Sequence, residues 1–144
     1  MSRHLYSASL FFVVLTAGLV VHGQHGATGS EWRVYGGDNG HSRYSPLDQI
    51  TRDNVGQLRL AWTFRMDNFS SPPESRSESG PVMANGRLFF TAGATRGVVG
   101  TDAGTGEILW VWKNTEGERA QMAPRRGSGR GVAYWTDGRE ERII

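Results

Sequence analysis

The side chains best suited to chemistry lie in one short run, Arg125-Arg126-Gly127-Ser128-Gly129-Arg130-Gly131. A guanidinium offers five N–H donors in a fixed fork that fits carboxylates, phosphates and other paired oxygens. An Arg/Gly-rich run can also grip nucleic acid. The formal net charge of only +2 is too small for a strong nucleic-acid footprint. The glycines do not form a phosphate loop, because no strand–GxxxxGK–helix order surrounds them. The histidines make no convincing metal set. His22 and His25 lie near the N-terminus, and His41 stands alone in a glycine-rich loop. Cysteine is absent. That excludes disulfides, thiolate-bound zinc, iron–sulfur clusters and Cys nucleophiles. Asn68-Phe69-Ser70 fits the glycosylation pattern, which is common by chance.

The composition, 38% hydrophobic and 10% aromatic, is that of a folded chain rather than a disordered one. With 144 residues, one domain is the default. Twenty Gly and five Trp suit a turn-rich β protein built on large aromatic packing units. Two landmarks then repeat. Leu60-Ala61-Trp62-Thr63-Phe64 alternates at strand period, and Ile108-Leu109-Trp110-Val111-Trp112 is a second strand with its Trp 48 positions after Trp62. Asn85-Gly86-Arg87 sits between apolar runs and returns as Asp137-Gly138-Arg139, 52 positions on. Asn-Gly between such runs marks a hairpin, since a type I′ turn needs positive φ at both central residues.

A period of about 40–50 residues made of short strands is the signature of β-propeller blades. The expected class is therefore all-β. The first blade is read as strands at 80–84, 87–91, 97–102 and 107–113. The strand at 59–65 belongs to a preceding, circle-closing blade, and a second unit opens near 131. A small sandwich or barrel is the plainer alternative. One helical turn is expected after Thr51, a suitable N-cap, with Ile50 and Val55 at the staple positions. Residues 70–75 read as an irregular loop.

Residues 1–23 read as an export signal. Arg3 and His4 precede an apolar run from Leu10 to Val21, broken by Thr16 and Gly18. A twelve-residue helix spans about 18 Å, short of the ~30 Å needed to cross a membrane. The run thus fits a secretory segment cleaved before Gln24. An uncleaved anchor is the alternative, which leaves inner-membrane association open. Either way, residues 24–144 are expected in the periplasm or cell envelope.

Three stretches resemble the pyrroloquinoline quinone (PQQ)-dependent dehydrogenases, eight-bladed quinoprotein propellers. Trp32-Arg-Val-Tyr-Gly-Gly-Asp-Asn-Gly-His-Ser-Arg-Tyr-Ser-Pro46, continuing through Leu47–Thr51, Asn54-Val55, Leu58 and Ala61-Trp62, resembles the family's N-terminal signature. Asp102-Ala-Gly-Thr-Gly-Glu-Ile-Leu-Trp110 resembles its tryptophan-docking motif, with Gly100 where an Ala is usual. Arg130-Gly131-Val132-Ala133-Tyr134-Trp135 is similar to a segment near the cofactor. In the docking motif, Asp102 and Thr105 can fix a turn by local hydrogen bonds. Trp110 is then scaffold, burying its ring between blades with its indole N–H in need of a partner.

The resemblance implies two cofactor-binding residues. Arg130 would reach PQQ, an o-quinone with three carboxylates, from the blade after the docking motif. Its plainer reading is a solvated loop arginine. Glu78, in Ser77-Glu78-Ser79-Gly80, matches a Glu beside the cofactor, or else a surface-loop acid. A carboxylate there repels the cofactor's own, so it needs a shared proton, a cation or a donor. The family's catalytic Asp and Ca²⁺ ligands come from later blades, so no residue here is assigned a catalytic or metal role. Some members carry adjacent cysteines just before Arg-Gly-Val. Pro124 and Arg125 stand there instead, closer to the glucose-dehydrogenase type.

The implied whole is a periplasmic enzyme that uses PQQ and Ca²⁺ to oxidise an alcohol or sugar and passes electrons to a respiratory acceptor. A non-enzymatic envelope propeller that binds protein partners is the alternative. Eight blades need several hundred residues, so the chain is expected to hold about one and a half blades. Repeat units bury their faces only against neighbours. By itself the chain is thus expected to be marginally folded and inactive.

Overall fold

The Asn85-Gly86 pair forms the tight hairpin that its residue types predict. Both residues adopt positive φ, 52° and 72°, and join β1 (Val82–Ala84) to β2 (Arg87–Ala92). The computed structural model describes residues 26–144 apart from 72, 75, 114, 116, 125 and 126. The export segment read at 1–23, His22, His25, Arg125 and Arg126 lie outside the described residues.

β2 continues through the turn at 93–96 into β3 (Gly97–Asp102), and β3 through the docking loop into β4 (Ile108–Trp112). The four strands pair in chain order, all antiparallel. These are the strands expected at 80–113, within two residues at each end. Past the short helix α1 (Glu118–Met122), a second hairpin pairs β5 (Tyr134–Thr136) with β6 (Glu141–Ile143). Trp32 extends the first sheet beyond β1 by two backbone hydrogen bonds with Met83, each 2.9 Å.

The first sheet is covered on both sides, as a blade requires. Strand alternation sends Phe89 one way and Phe90 the other. Val82, Ala84 and Phe89 pack on Val132, Tyr134 and Ile143 of the second unit. Phe90, Ala92 and Val99 pack on Phe64, Met66 and Phe69. The Phe64 ring meets Phe90 edge-on at 4.8 Å, a favoured aromatic geometry. Nothing covers the far edge among the described residues, and all five residues of β4 are exposed.

Four expectations are corrected. Residues 59–65 form no strand, and Leu60 is 83% exposed. A strand exists only through a hydrogen-bonded partner, and this segment has none among the described residues. Asp137-Gly138 does not repeat the two-residue turn of Asn85-Gly86. The register pairs Thr136 with Glu141, giving a four-residue loop. Asp137 holds that loop through its side chain, accepting the N–H groups of Arg139 and Glu140 at 2.8 Å. The expected helical turn is a 3-10 turn, Val55–Gln57. Thr51 closes the approach to it, taking the Val55 N–H on its carbonyl. Ile50 and Val55 are both exposed and bury no staple.

Trp110 is the fourth. It leans onto Phe89, ring centres 5.9 Å apart, and over Gly100, but stays 37% exposed. A Cβ on Gly100 would lie 2.5 Å from its ring. The ring that docks within the described residues is Trp62. Its indole N–H donates to the Ala103 carbonyl (3.1 Å), and its face lies on Gly106, where a Cβ would come within 2.5 Å of the ring. Asp102 builds the receiving loop. Its Oδ1 accepts the Gly104 N–H, the Thr105 N–H and the Thr105 hydroxyl at 2.8–3.0 Å. Those bonds, the Thr105 amide first, hold the Asp102 carboxyl below its ordinary pKa.

Candidate functional site

One face of β2 runs along the seam with the second unit, and its alternate residues do three different jobs. At one end Arg87 pairs with Glu141 (2.5 Å). In the middle Phe89 lies parallel to the Tyr134 ring, centres 6.4 Å apart. At the other end Thr91 opens onto a cleft of about 720 Å³, within the size range of ligand sites.

The Arg87 end is fastened by polar groups from three segments. Glu31 accepts the Asn85 N–H (3.0 and 3.1 Å) and pairs with Arg33. Arg33 also lies 5.2 Å from the centre of the Tyr134 ring. The Asn85 amide donates to the Tyr134 hydroxyl and to Glu141. Arg33 has its pKa raised chiefly by the hydrogen bond to Glu31. This network joins the second unit to the first sheet at the end of the seam opposite the cleft.

The cleft is walled by the segment through Arg76 and Glu78, by Thr91, by Arg96 on the β2–β3 turn, and by Pro124 and the 127–131 loop. Glu78 and Arg130, the two residues named from sequence, therefore line the same space. Parallel pairing of Gly80 with Gly131 joins their segments, with the Gly80 N–H on the Arg130 carbonyl at 3.1 Å. Gly131 permits that approach. Its φ is +122°, and a Cβ would sit 2.5 Å from the Gly80 oxygen. Three arginines, 76, 96 and 130, flank the opening. Glu78 is paired with Arg76 at 3.4 Å, an exposed contact of small energy.

Short polar links hold the floor. The Thr91 N–H and hydroxyl both donate to Ser79 Oγ at 3.0 Å. Ser128, only 1% exposed, lies 3.5 Å from the Ser77 hydroxyl. Its N–H donates to Glu74 Oε1 at 2.6 Å. Sequence reasoning passed over Glu74 and Arg96. Glu74 sits in a stretch that reads as irregular loop. Arg96 is 34 positions from Arg130, and only the β2–β3 pairing brings its turn to the seam.

Three guanidinium groups against one carboxylate, around a glycine-rich wall, give the cleft a positive lining that can take an anion. The donor set fits a planar group bearing several carboxylates. No lining residue is aromatic, so peptide planes and aliphatic stems would have to face its rings. Among the described residues, no group of three His, Asp or Glu could hold a metal ion. No described helix is long and apolar enough to cross a membrane.

The family model described as PQQ, glucose/ethanol/alcohol dehydrogenase, β-propeller domain, matches residues 32–144. The chain belongs to this family. The four-stranded sheet and the following hairpin are thus units of a PQQ β-propeller domain rather than parts of a closed barrel. The dehydrogenase subunit of an alcohol dehydrogenase (quinone) from Gluconobacter oxydans strain 621H is 33% identical over 122 residues, covering 83% of this chain and 15% of that protein. Its counterpart from Komagataeibacter europaeus is 36% identical over 106 residues, 72% and 13% of the two chains. A quinoprotein glucose dehydrogenase of Gluconobacter oxydans is 35% identical over 86 residues, 58% and 10%. The chain spans no more than 15% of the length of these relatives.

Proposed function

We propose that this chain is the opening part of a PQQ-dependent dehydrogenase that oxidises an alcohol or sugar in the periplasm and delivers the electrons to a respiratory acceptor. One observation carries the reading. Glu78 and Arg130, named from the family's motifs, meet with two further arginines in a single cleft at a seam between propeller units. A scaffold propeller has no need of that convergence. Export rests on residues 1–23 alone, as read from their sequence.

When bound, PQQ supplies an o-quinone that takes two electrons from the substrate C–H bond. The chain's own residues bind and orient it. Arg130 offers its fork of N–H donors to a carboxylate or quinone oxygen, with Arg96 and Arg76 as further cations. Glu78 beside Arg76 is already part of an ion pair, which lessens its repulsion of an anionic ligand. Ser128 and the Gly80–Gly131 pairing hold the wall against which the ring system would rest. The base and the calcium ligands belong, on this reading, to blades beyond the described residues, as does the covering of β4. The absence of a Cys pair before Arg130 favours a sugar-oxidising type, although the matched relatives include both alcohol and glucose dehydrogenases.

The test is a titration of the protein, purified as its host makes it, with PQQ. The expected result for the complete protein is one equivalent bound, and dye-linked oxidation of ethanol or glucose once Ca²⁺ is added; residues 24–144 by themselves are expected to be inactive. Absence of PQQ binding at about 10 μM, a weak affinity for so many ionic contacts, would overturn the proposal in favour of a scaffold.

A further inference from the structure

The Glu74 carboxylate bridges two segments that meet at the cleft. Its Oε2 accepts the Gly93 N–H at 2.9 Å, and its Oε1 accepts the Ser128 N–H at 2.6 Å. Gly93 opens the β2–β3 turn, which carries Arg96 three positions later. Ser128 stands two positions before Arg130. This half-buried side chain thus links directly the backbones that carry two of the three cleft arginines, beside the indirect links through Ser77, Ser79 and Gly80. The surroundings are shaped for it. Gly127 has φ +113°, and a Cβ there would lie 3.2 Å from Glu74 Oε1. Gly93 has φ +78°, and a Cβ there would strike the Phe69 carbonyl at 2.7 Å.

We propose that Glu74 is a positioning residue that clamps the Gly93 turn to the 127–131 loop and so presents Arg96 and Arg130 at the spacing that the bound quinone's carboxylates require. This rests on the reading of the cleft as the PQQ site. The carboxylate does not itself touch the cofactor. Both oxygens are occupied by amides, and Glu74 is not among the residues that line the cleft. A carboxylate is needed because both donors are N–H groups. A glutamine has one acceptor oxygen and must turn its NH₂ toward the other amide, breaking one arm of the clamp.

The experiment compares the wild type, Glu74→Gln and Val99→Ala in the protein as its host makes it. Three readouts are PQQ dissociation constant, thermal midpoint and hydrogen exchange at the Gly93 and Ser128 amides. Val99 lies in the core on the opposite face of the sheet, so it reports loss of stability without loss of the clamp. Glu74→Gln is expected to raise the PQQ dissociation constant at least tenfold and to speed exchange at one or both amides by a similar factor. Val99→Ala is expected to lower the midpoint and leave the dissociation constant within twofold. A Glu74→Gln protein that binds PQQ like the wild type overturns the proposal, and so does an equal loss of affinity in Val99→Ala. Should Glu74→Gln not fold, the wild type alone decides, because unprotected Gly93 and Ser128 amides refute the clamp. Protected amides in a protein that binds no PQQ instead refute the quinone reading, and the positioning role with it.

Discussion

Replacing Gly106 with Ala tests the seat of Trp62 directly. The new Cβ would stand 2.5–2.8 Å from three ring atoms, Cδ2, Cε3 and Cγ. Overpacking of that kind costs about 1–3 kcal/mol. The backbone at φ +75° adds about 1 kcal/mol for a residue other than Gly. The single substitution should therefore cost about 2–4 kcal/mol. With a urea slope of about 2 kcal/mol/M, the midpoint falls by about 1–2 M while the slope itself stays constant. In a Trp62→Ala background the clash has no partner, and Gly106→Ala should cost only the backbone part, about 1 kcal/mol. The cycle thus predicts a coupling of about 1–3 kcal/mol between positions 44 residues apart. Equal costs in the two backgrounds would show that the ring does not rest on this glycine, and the whole account of how the 58–66 segment attaches would fail with it.

Three other outcomes are expected. Arg130→Gln should weaken PQQ binding about 10- to 100-fold by equilibrium titration, since hydrogen bonds to charged groups contribute about 1.5–3 kcal/mol; an unchanged affinity would remove Arg130 from the site. The Asp102 carboxyl is held below its ordinary pKa in the folded chain, so its contribution is present above the unfolded value and is lost as pH falls below about 4. Thermal midpoints at pH 6 and pH 3 should accordingly lie closer together in Asp102→Asn than in the wild type, and an identical gap would contradict this. Thr101 is fully buried, and its hydroxyl has no partner among the described residues. Thr101→Val, which keeps the branched shape, should raise stability by about 1 kcal/mol in chemical denaturation, and a loss would mean that the hydroxyl has a partner.

The elements of the first sheet were legible because short-range chemistry specifies them. Asn85-Gly86 can adopt positive φ twice, and the flanking residues alternate at the strand period. The partners of those elements were less legible. Trp62 and Trp110 look equivalent in sequence, yet one is seated on a loop and the other lies on its own sheet partly exposed, because docking depends on which loop lies opposite. Asp137-Gly138 resembles Asn85-Gly86, but Asp137 satisfies two amides with its carboxylate and opens the turn to four residues. In the cleft, Glu78 and Arg130 could be named because each stands in a family motif. Glu74 and Arg96 carry no motif, and their position follows from the register of β2 with β3 and from two hydrogen bonds to backbone amides. Such contacts leave no mark on residue type beyond the need for an acceptor.

The bare outer ribbon of the first sheet has a consequence for biosynthesis. Ile108–Trp112 presents five large apolar side chains in succession, with one row of backbone donors and acceptors unmatched among the described residues. Such an edge invites pairing with any extended polypeptide, its own copies included. While it has no partner, this ribbon is the most adhesive part of the described fold, and any holding factor should engage it first. The charges that bracket it, Glu107 and Lys113, act as gatekeepers, making stacking of identical strands in register costly.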